Sequence, residues 1–140
     1  MDSSRPADNP NPDLANTGVR SSPVFFVSDM QRSLDFYGRQ MGFNVDDAYG
    51  DPVCWCNACL GTAVLMLSQP QRAVERTAAQ VNDGYVWDAH IMVKDAQAYH
   101  NFIAANGVEI LRPPSEAPYG MLEFVMRDPD GYSICFGQNL

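Results

Sequence analysis

The sequence predicts an α+β domain built from two βαβββ modules. Three observations predict it. First, SSPVFFVSDMQRSLDFYGRQMGF, from Ser21, is matched in pattern by WDAHIMVKDAQAYHNFIAANGV, from Trp87. Second, the match has one offset: Val27-Ser28-Asp29 falls on Val93-Lys94-Asp95 and Phe36 on Phe102, both 66 residues on. Third, each copy is followed by three short alternating segments bounded by turn residues, which read as strands.

The elements follow in order. Each module opens on a short apolar strand that ends at an aspartate, Asp29 or Asp95, able to cap a helix. Each helix runs about three turns and stops at a glycine. The expected inward faces are Leu34, Tyr37 and Met41 in the first helix and Ala98, Phe102 and Ala105 in the second. Strands are expected at 44–48, 53–58 and 63–67, then at 108–111, 122–127 and 132–137. The link at 71–80 reads as a short helix. The last two strands form a hairpin across Asp-Pro-Asp-Gly, where Pro129 fixes φ and Gly131 tolerates a positive one. In its second strand Ser133, Cys135 and Gly137 share one face, and Tyr132, Ile134 and Phe136 share the other.

Residues 1–20 hold three prolines and little that is apolar. They cannot offset their ordering entropy and are expected to form a disordered tail. The folded domain is then 21–140, with modules at about 21–70 and 84–140. The net charge of −8 argues against nucleic acid, whose phosphates demand basic patches. No apolar run is long enough to span a bilayer, and the start is not signal-like. The expectation is a cytoplasmic protein whose partner is a small molecule, not a membrane or a nucleic acid.

The segments VSDMQRSLDFYGRQMGF, VKDAQAYHNFIAANGVEI and APYGMLEFVMRDPDGYSICFGQ together resemble the vicinal oxygen chelate superfamily. That superfamily includes glyoxalase I, bleomycin-resistance proteins and extradiol dioxygenases. The resemblance implies eight strands in two incurved mixed sheets, with a ligand cavity within one chain or between two. Incurved sheets leave edges for a second copy to cover, so a homodimer is expected.

In metal-bearing members, four side chains from four strands hold the ion. The resemblance puts Ser22, Met66, Asp88 and Cys135 at those positions. A thioether is a poor ligand for a hard cation and a neutral hydroxyl a weak one. The expectation is therefore no metal and no cofactor, as in the bleomycin-resistance-like branch, which PYGMLEF also resembles. His90 lies two residues after Asp88, on the same face. Asp88, His90 and Cys135 as a zinc site is the competing reading, against His90 as a hydrogen-bonding wall residue. His100 reads as a solvated helix residue.

Cys54, Cys56 and Cys59 lie along one strand with no helix opening at the Cys-x-x-Cys pair, which argues against a thioredoxin-type motif. They read as small buried residues of a reducing compartment. Thiol catalysis at Cys135 would need His90 as its base. Trp87 and Tyr85 precede the Asp88 strand, and Tyr119 sits in PPSEAPYG, read as a loop over the cavity mouth. Aromatic side chains at a mouth suit a planar or cationic ligand. Val24, Phe26, Met66 and Met92 would supply an apolar floor. Asp88, joined by Glu123 if it faces inward, would supply negative charge. The expected ligand-binding set is Asp88, His90, Cys135, Trp87, Tyr119, Met66 and Phe26. The expected function is sequestration of a drug-like or metabolite ligand, as in antibiotic resistance. The alternatives are a divergent metal-dependent lyase, isomerase or dioxygenase, and a vestigial module with a structural role.

Overall fold

The computed structural model describes residues 7–72 and 84–140. The chain runs β1 (Val24–Phe26), α1 (Met30–Asp35), a π-type turn (Phe36–Gln40), β2 (Asn44–Tyr49), β3 (Trp55–Leu60) and β4 (Ala63–Ser68). It then repeats the order with β5 (Ala89–Met92), α2 (Ala96–Ala105), β6 (Glu109–Ala117), β7 (Met121–Arg127) and β8 (Ser133–Asn139). Each module forms one four-stranded mixed sheet, ordered β1-β4-β3-β2 and β5-β8-β7-β6. β1 pairs with β4 and β5 with β8 in parallel, and the other pairs are antiparallel. The helix expected at 71–80 lies outside the described residues apart from its first two. Residues 7–20 are exposed throughout and hold one 3-10 turn, Leu14–Asn16. Among the described residues no helix is long and apolar enough to cross a membrane.

The two modules start their helices by the same device. The Asp29 carboxylate accepts from Arg32 N at 3.2 Å, and Asp95 accepts from Ala98 N at 2.9 Å. One residue further on, a glutamine from the end of the module's last strand takes a second free helix N–H. Gln69 Oε1 accepts from Met30 N at 2.7 Å and Gln138 Oε1 from Ala96 N at 2.9 Å. Each helix start is thereby tied to its own sheet, and the donors left over at a helix N-terminus are satisfied.

That tie also fixes the rotation of α2, which differs from the expectation. Ala96 and Ile103 are buried and Tyr99 and His100 half-buried, whereas Ala98, Phe102 and Ala105 are exposed. Anchoring Ala96 against Gln138 turns the i, i+3, i+7 stripe through Tyr99 and Ile103 onto the sheet. His100 is accordingly half-buried and not fully solvated: its ring meets Phe124 edge-on at 5.3 Å. The segment 113–117 is also no loop. It belongs to β6, which runs through Pro113 and Pro114 because it is an edge strand, where a missing N–H leaves no ladder bond unmade. Register shifts between Ile110 and Arg112 and between Arg112 and Ser115 absorb the irregularity. β3 starts at Trp55, two residues later than expected, because the turn takes 50–53.

One apolar cluster spans both modules. It includes Phe25, Tyr37, Met41 and Leu67 from the first, and Ile103, Phe124, Ile134 and Phe136 from the second. Full burial of one such side chain stabilises by about 2–3 kcal/mol. The Asp-Pro-Asp-Gly turn locks the modules together. Tyr132 stacks on Phe25 with ring centroids 4.3 Å apart, and its hydroxyl accepts from Phe26 N at 3.0 Å. Asp128 accepts from the Tyr37 hydroxyl at 2.8 Å. Asp130 accepts from Ser28 Oγ at 2.7 Å and from Arg32 at 3.1 Å.

Candidate ligand site on the second sheet

The site begins with the alternation of β8. Ile134 and Phe136 belong to the core, where Phe136 meets the Tyr99 ring of α2 at 4.9 Å. Cys135 and Gly137 therefore face the other way. The ladder aligns His90 of β5 with Cys135, and Val125 and Glu123 of β7 with Cys135 and Gly137. His90 and Glu123 thus flank β8 on the face away from α2, with Gly137 between them. A Cβ on Gly137 would lie 3.0 Å from His90 Cε1 and Nε2 and 2.6 Å from Met121 Cε. The glycine leaves the space through which the imidazole crosses the strand.

His90 Nε2 lies 2.9 Å from Glu123 Oε2. An ionised carboxylate only accepts, so the imidazole carries its proton on Nε2 and donates. The Tyr119 hydroxyl donates to the other oxygen, Oε1. The Cys135 sulfur lies within 4.8 Å of the same carboxylate. Glu123 is only 2% exposed. Burial alone would raise its pKa, but the hydrogen bonds from Tyr119 and His90, with the neighbouring Cys135, outweigh it, and the carboxyl sits below its ordinary value. The cost passes to its neighbours. Burial, then the Glu123 charge, pushes the Cys135 thiol up to about 12. The hydrogen bond to Glu123, then burial, raises the Tyr119 phenol.

The structure brings His90, Cys135 and Tyr119 together around Glu123. Trp87 stands beside them, its ring 6.4 Å from that of His90. Asp88 does not join the cluster. Its carboxylate accepts from Ser133 N at 3.0 Å and its N–H donates to Ser133 O at 2.8 Å, so it opens the β5–β8 ladder. Met66 and Phe26 belong to the first sheet, where Met66 pairs with Val24 and Phe26 is 39% exposed. Tyr85 lies under the Arg112 guanidinium, 5.0 Å from its ring centroid. Arg112 also donates to Gly84 O at 3.0 Å and to Ser115 Oγ at 3.1 Å.

A cleft of about 930 Å³ opens between the β3–β4 turn and β5. Leu60, Ala63, Val64, Ile91 and Met92 give it apolar walls, and His90 also lines it. Glu123, Cys135 and Tyr119 do not line it, so the polar cluster and the cleft meet at His90. Such a volume suits a drug-sized ligand, and a few polar groups beside apolar walls are the usual composition of a small-molecule site.

The four positions at which family resemblance would put a metal do not supply a fitting donor set. They offer a hydroxyl, a thioether, a carboxylate already engaged with Ser133 and a thiol. A different group has metal-donor chemistry: a His90 ring nitrogen, a Glu123 oxygen and Cys135 Sγ lie within 4.8 Å of one another. Glu123 is the centre of the site, and the sequence named it only conditionally. Counting by twos from Phe124, which must face the core, puts Glu123 on the opposite face, so the signal was present. Gly137 carried no comparable signal, because the space it leaves depends on the register between β5 and β8.

The family model described as Glyoxalase/Bleomycin resistance protein/Dioxygenase superfamily matches residues 21–136. No curated protein matches the chain. Solved structures do. One is a protein of unknown function from Agrobacterium tumefaciens str. C58, 26% identical over 91% of this chain and 99% of its own, with a TM-score of 0.65. TioX from Micromonospora sp. ML1 is 18% identical over 87% of this chain and 97% of its own, with a TM-score of 0.68. A glyoxalase/bleomycin resistance protein/dioxygenase from Alicyclobacillus acidocaldarius is 14% identical over 89% and 94%, with a TM-score of 0.67. At 18% and 14% the last two show a shared fold.

Proposed function

Because the chain belongs to the glyoxalase/bleomycin resistance protein/dioxygenase superfamily, we propose that it is a metal-free, small-molecule-binding member that sequesters a drug-like or metabolite ligand in the cytoplasm, as in antibiotic resistance. The observation that carries this reading is the hydrogen-bonded Glu123 carboxylate, reached through His90 from an apolar cleft. Binding is favoured over chemistry because the cluster's groups are committed to one another. The Cys135 thiol is buried and held protonated, the opposite of an activated nucleophile. A homodimer fits the edge strands, where Val24, Phe26 and Met92 are 41%, 39% and 48% exposed. All four cysteines are free thiols, in keeping with a reducing compartment.

The proximity of His90, Glu123 and Cys135 favours one second reading, a zinc-dependent enzyme with three protein ligands and an open fourth position. Native mass spectrometry and elemental analysis of gently purified protein separate the two. The expected result is a dimer mass, a retained organic ligand and substoichiometric metal. One tightly held metal per chain, lost in Cys135→Ser, would overturn the metal-free reading. A monomer at all micromolar concentrations would remove the dimer.

A further inference from the structure

We infer that the ligand presents a planar cation with paired N–H donors, an amidinium or guanidinium, and that this group docks on Glu123 by displacing the Tyr119 hydroxyl. The inference rests on the reading of this face as a ligand site and adds the chemical class of the ligand.

Three observations carry it. The first is charge. Glu123 is buried and ionised, and among the described residues no arginine or lysine pairs with it. Its hydrogen-bond partners are a phenol and an imidazole, with a thiol within 4.8 Å. A buried carboxylate is costly without a cation, so the site has the most to gain from a ligand that brings one. Arg112, the nearby cation, is held by Gly84 O, Ser115 Oγ and the Tyr85 ring.

The second is that one of these two donors is dispensable. His90 is held in the sheet, but Tyr119 sits in the turn between β6 and β7, next to Gly120 at φ +80°, and is 62% exposed. Little packing holds its ring in place. Swinging it outward costs one hydrogen bond and opens Oε1 of Glu123. An amidinium would replace that bond by charge-assisted ones, which are about twice as strong as neutral bonds.

The third is the surroundings. The His90 ring stands beside the carboxylate, the Trp87 ring is 6.4 Å from the His90 ring, and His90 also lines the apolar cleft. A flat cationic head has an aromatic face to lie on, and the apolar cleft that His90 lines is the nearest space for its body. The net charge of −8 favours the approach of a cation.

Benzamidine, with benzamide as its neutral twin, tests this by calorimetry and tryptophan fluorescence on the full chain. Benzamidine should bind, and benzamide should bind at least about tenfold more weakly. Glu123→Gln should weaken benzamidine by about tenfold or more, the loss of a charged hydrogen-bond partner. Tyr119→Phe, on an exposed turn that does not endanger the fold, should tighten benzamidine several-fold, because the competing donor is gone. Benzamidine binding that Tyr119→Phe leaves unchanged or weakens would overturn the displacement. Equal binding of benzamide, abolished by His90→Ala, would leave the ligand site standing and overturn its cationic class. If neither probe binds and no organic ligand survives purification, the site reading itself falls.

Discussion

Gln40 and Asn106 hold each other's main chain. Gln40 Nε2 donates to Asn106 O at 3.0 Å, and Asn106 Nδ2 donates to Gln40 O at 3.1 Å. The two residues are 66 apart, the offset of the internal repeat, and each closes the helical segment of its module. A residue bonded to its own repeat equivalent, in both directions, marks the approximate twofold that relates the modules. Each amide carries one bond between modules, so Gln40→Ala or Asn106→Ala should cost about 1 kcal/mol. Both bonds close the same contact, so the double variant should lose less than the sum. Urea unfolding of the four proteins measures this, and strict additivity would mean the two bonds act independently.

Asp128 should give stability an acid-range slope. Burial raises its carboxyl from 3.8 to about 6, against the hydrogen bonds from Tyr37 and the turn, with the Asp130 charge adding to the rise. The folded state therefore holds this proton more tightly than the unfolded state. Its contribution is fully present below about pH 4 and is lost as pH rises to about 6, on the order of 2–3 kcal/mol across the window. Glu123, whose pKa is lowered, has the opposite sign: its contribution is present at neutral pH and lost on acidification. Asp128→Asn should remove the first effect and keep the second. The check is the difference between wild-type and variant melting curves from pH 4 to 7. A constant difference would refute the assignment.

Gly137→Ala should dismantle the site while keeping the fold. Its φ is not positive, so the effect is steric. The new methyl would force the Met121 tip aside and push the imidazole off its line to Glu123. Overpacking of this kind costs about 1–3 kcal/mol. Nitrogen-15 NMR of His90 should show the Nε2 hydrogen bond lost. An unchanged His90 spectrum would show that the ring does not need the glycine.

The thiols should separate by access. Cys54 is exposed, Cys59 half-buried, and Cys56 and Cys135 buried. Burial also raises the pKa of Cys56, and the Cys135 thiol is pushed up to about 12. Under native conditions a disulfide reagent should modify Cys54 first and Cys59 more slowly, leaving the other two for denaturant. Peptide mass mapping identifies the order. Early labelling of Cys135 would contradict its placement.

The architecture was legible because the helix caps, the stop glycines and the Asp-Pro-Asp-Gly turn are local signals, and the repeat let each module check the other. The face of α2 was not legible. Its rotation is set by Gln138, 42 residues from Ala96, and no helical period contains that information. The site was legible in part for the same reason. His90 and Cys135 follow from alternation within single strands, whereas their meeting with Glu123 depends on cross-strand register. Asp88 and Ser133 show the converse: a carboxylate on the expected strand can be taken up by the backbone beside it.

The turn that locks the modules also imposes an order on synthesis. Phe25 leaves the ribosome more than a hundred residues before Tyr132, the ring that stacks on it, and Ser28 and Arg32 likewise precede Asp130. The first module cannot complete its packing while it is the only one made. During translation its Phe25 face stays open until nearly the whole chain is present, so the nascent first half exposes apolar surface that the finished domain buries.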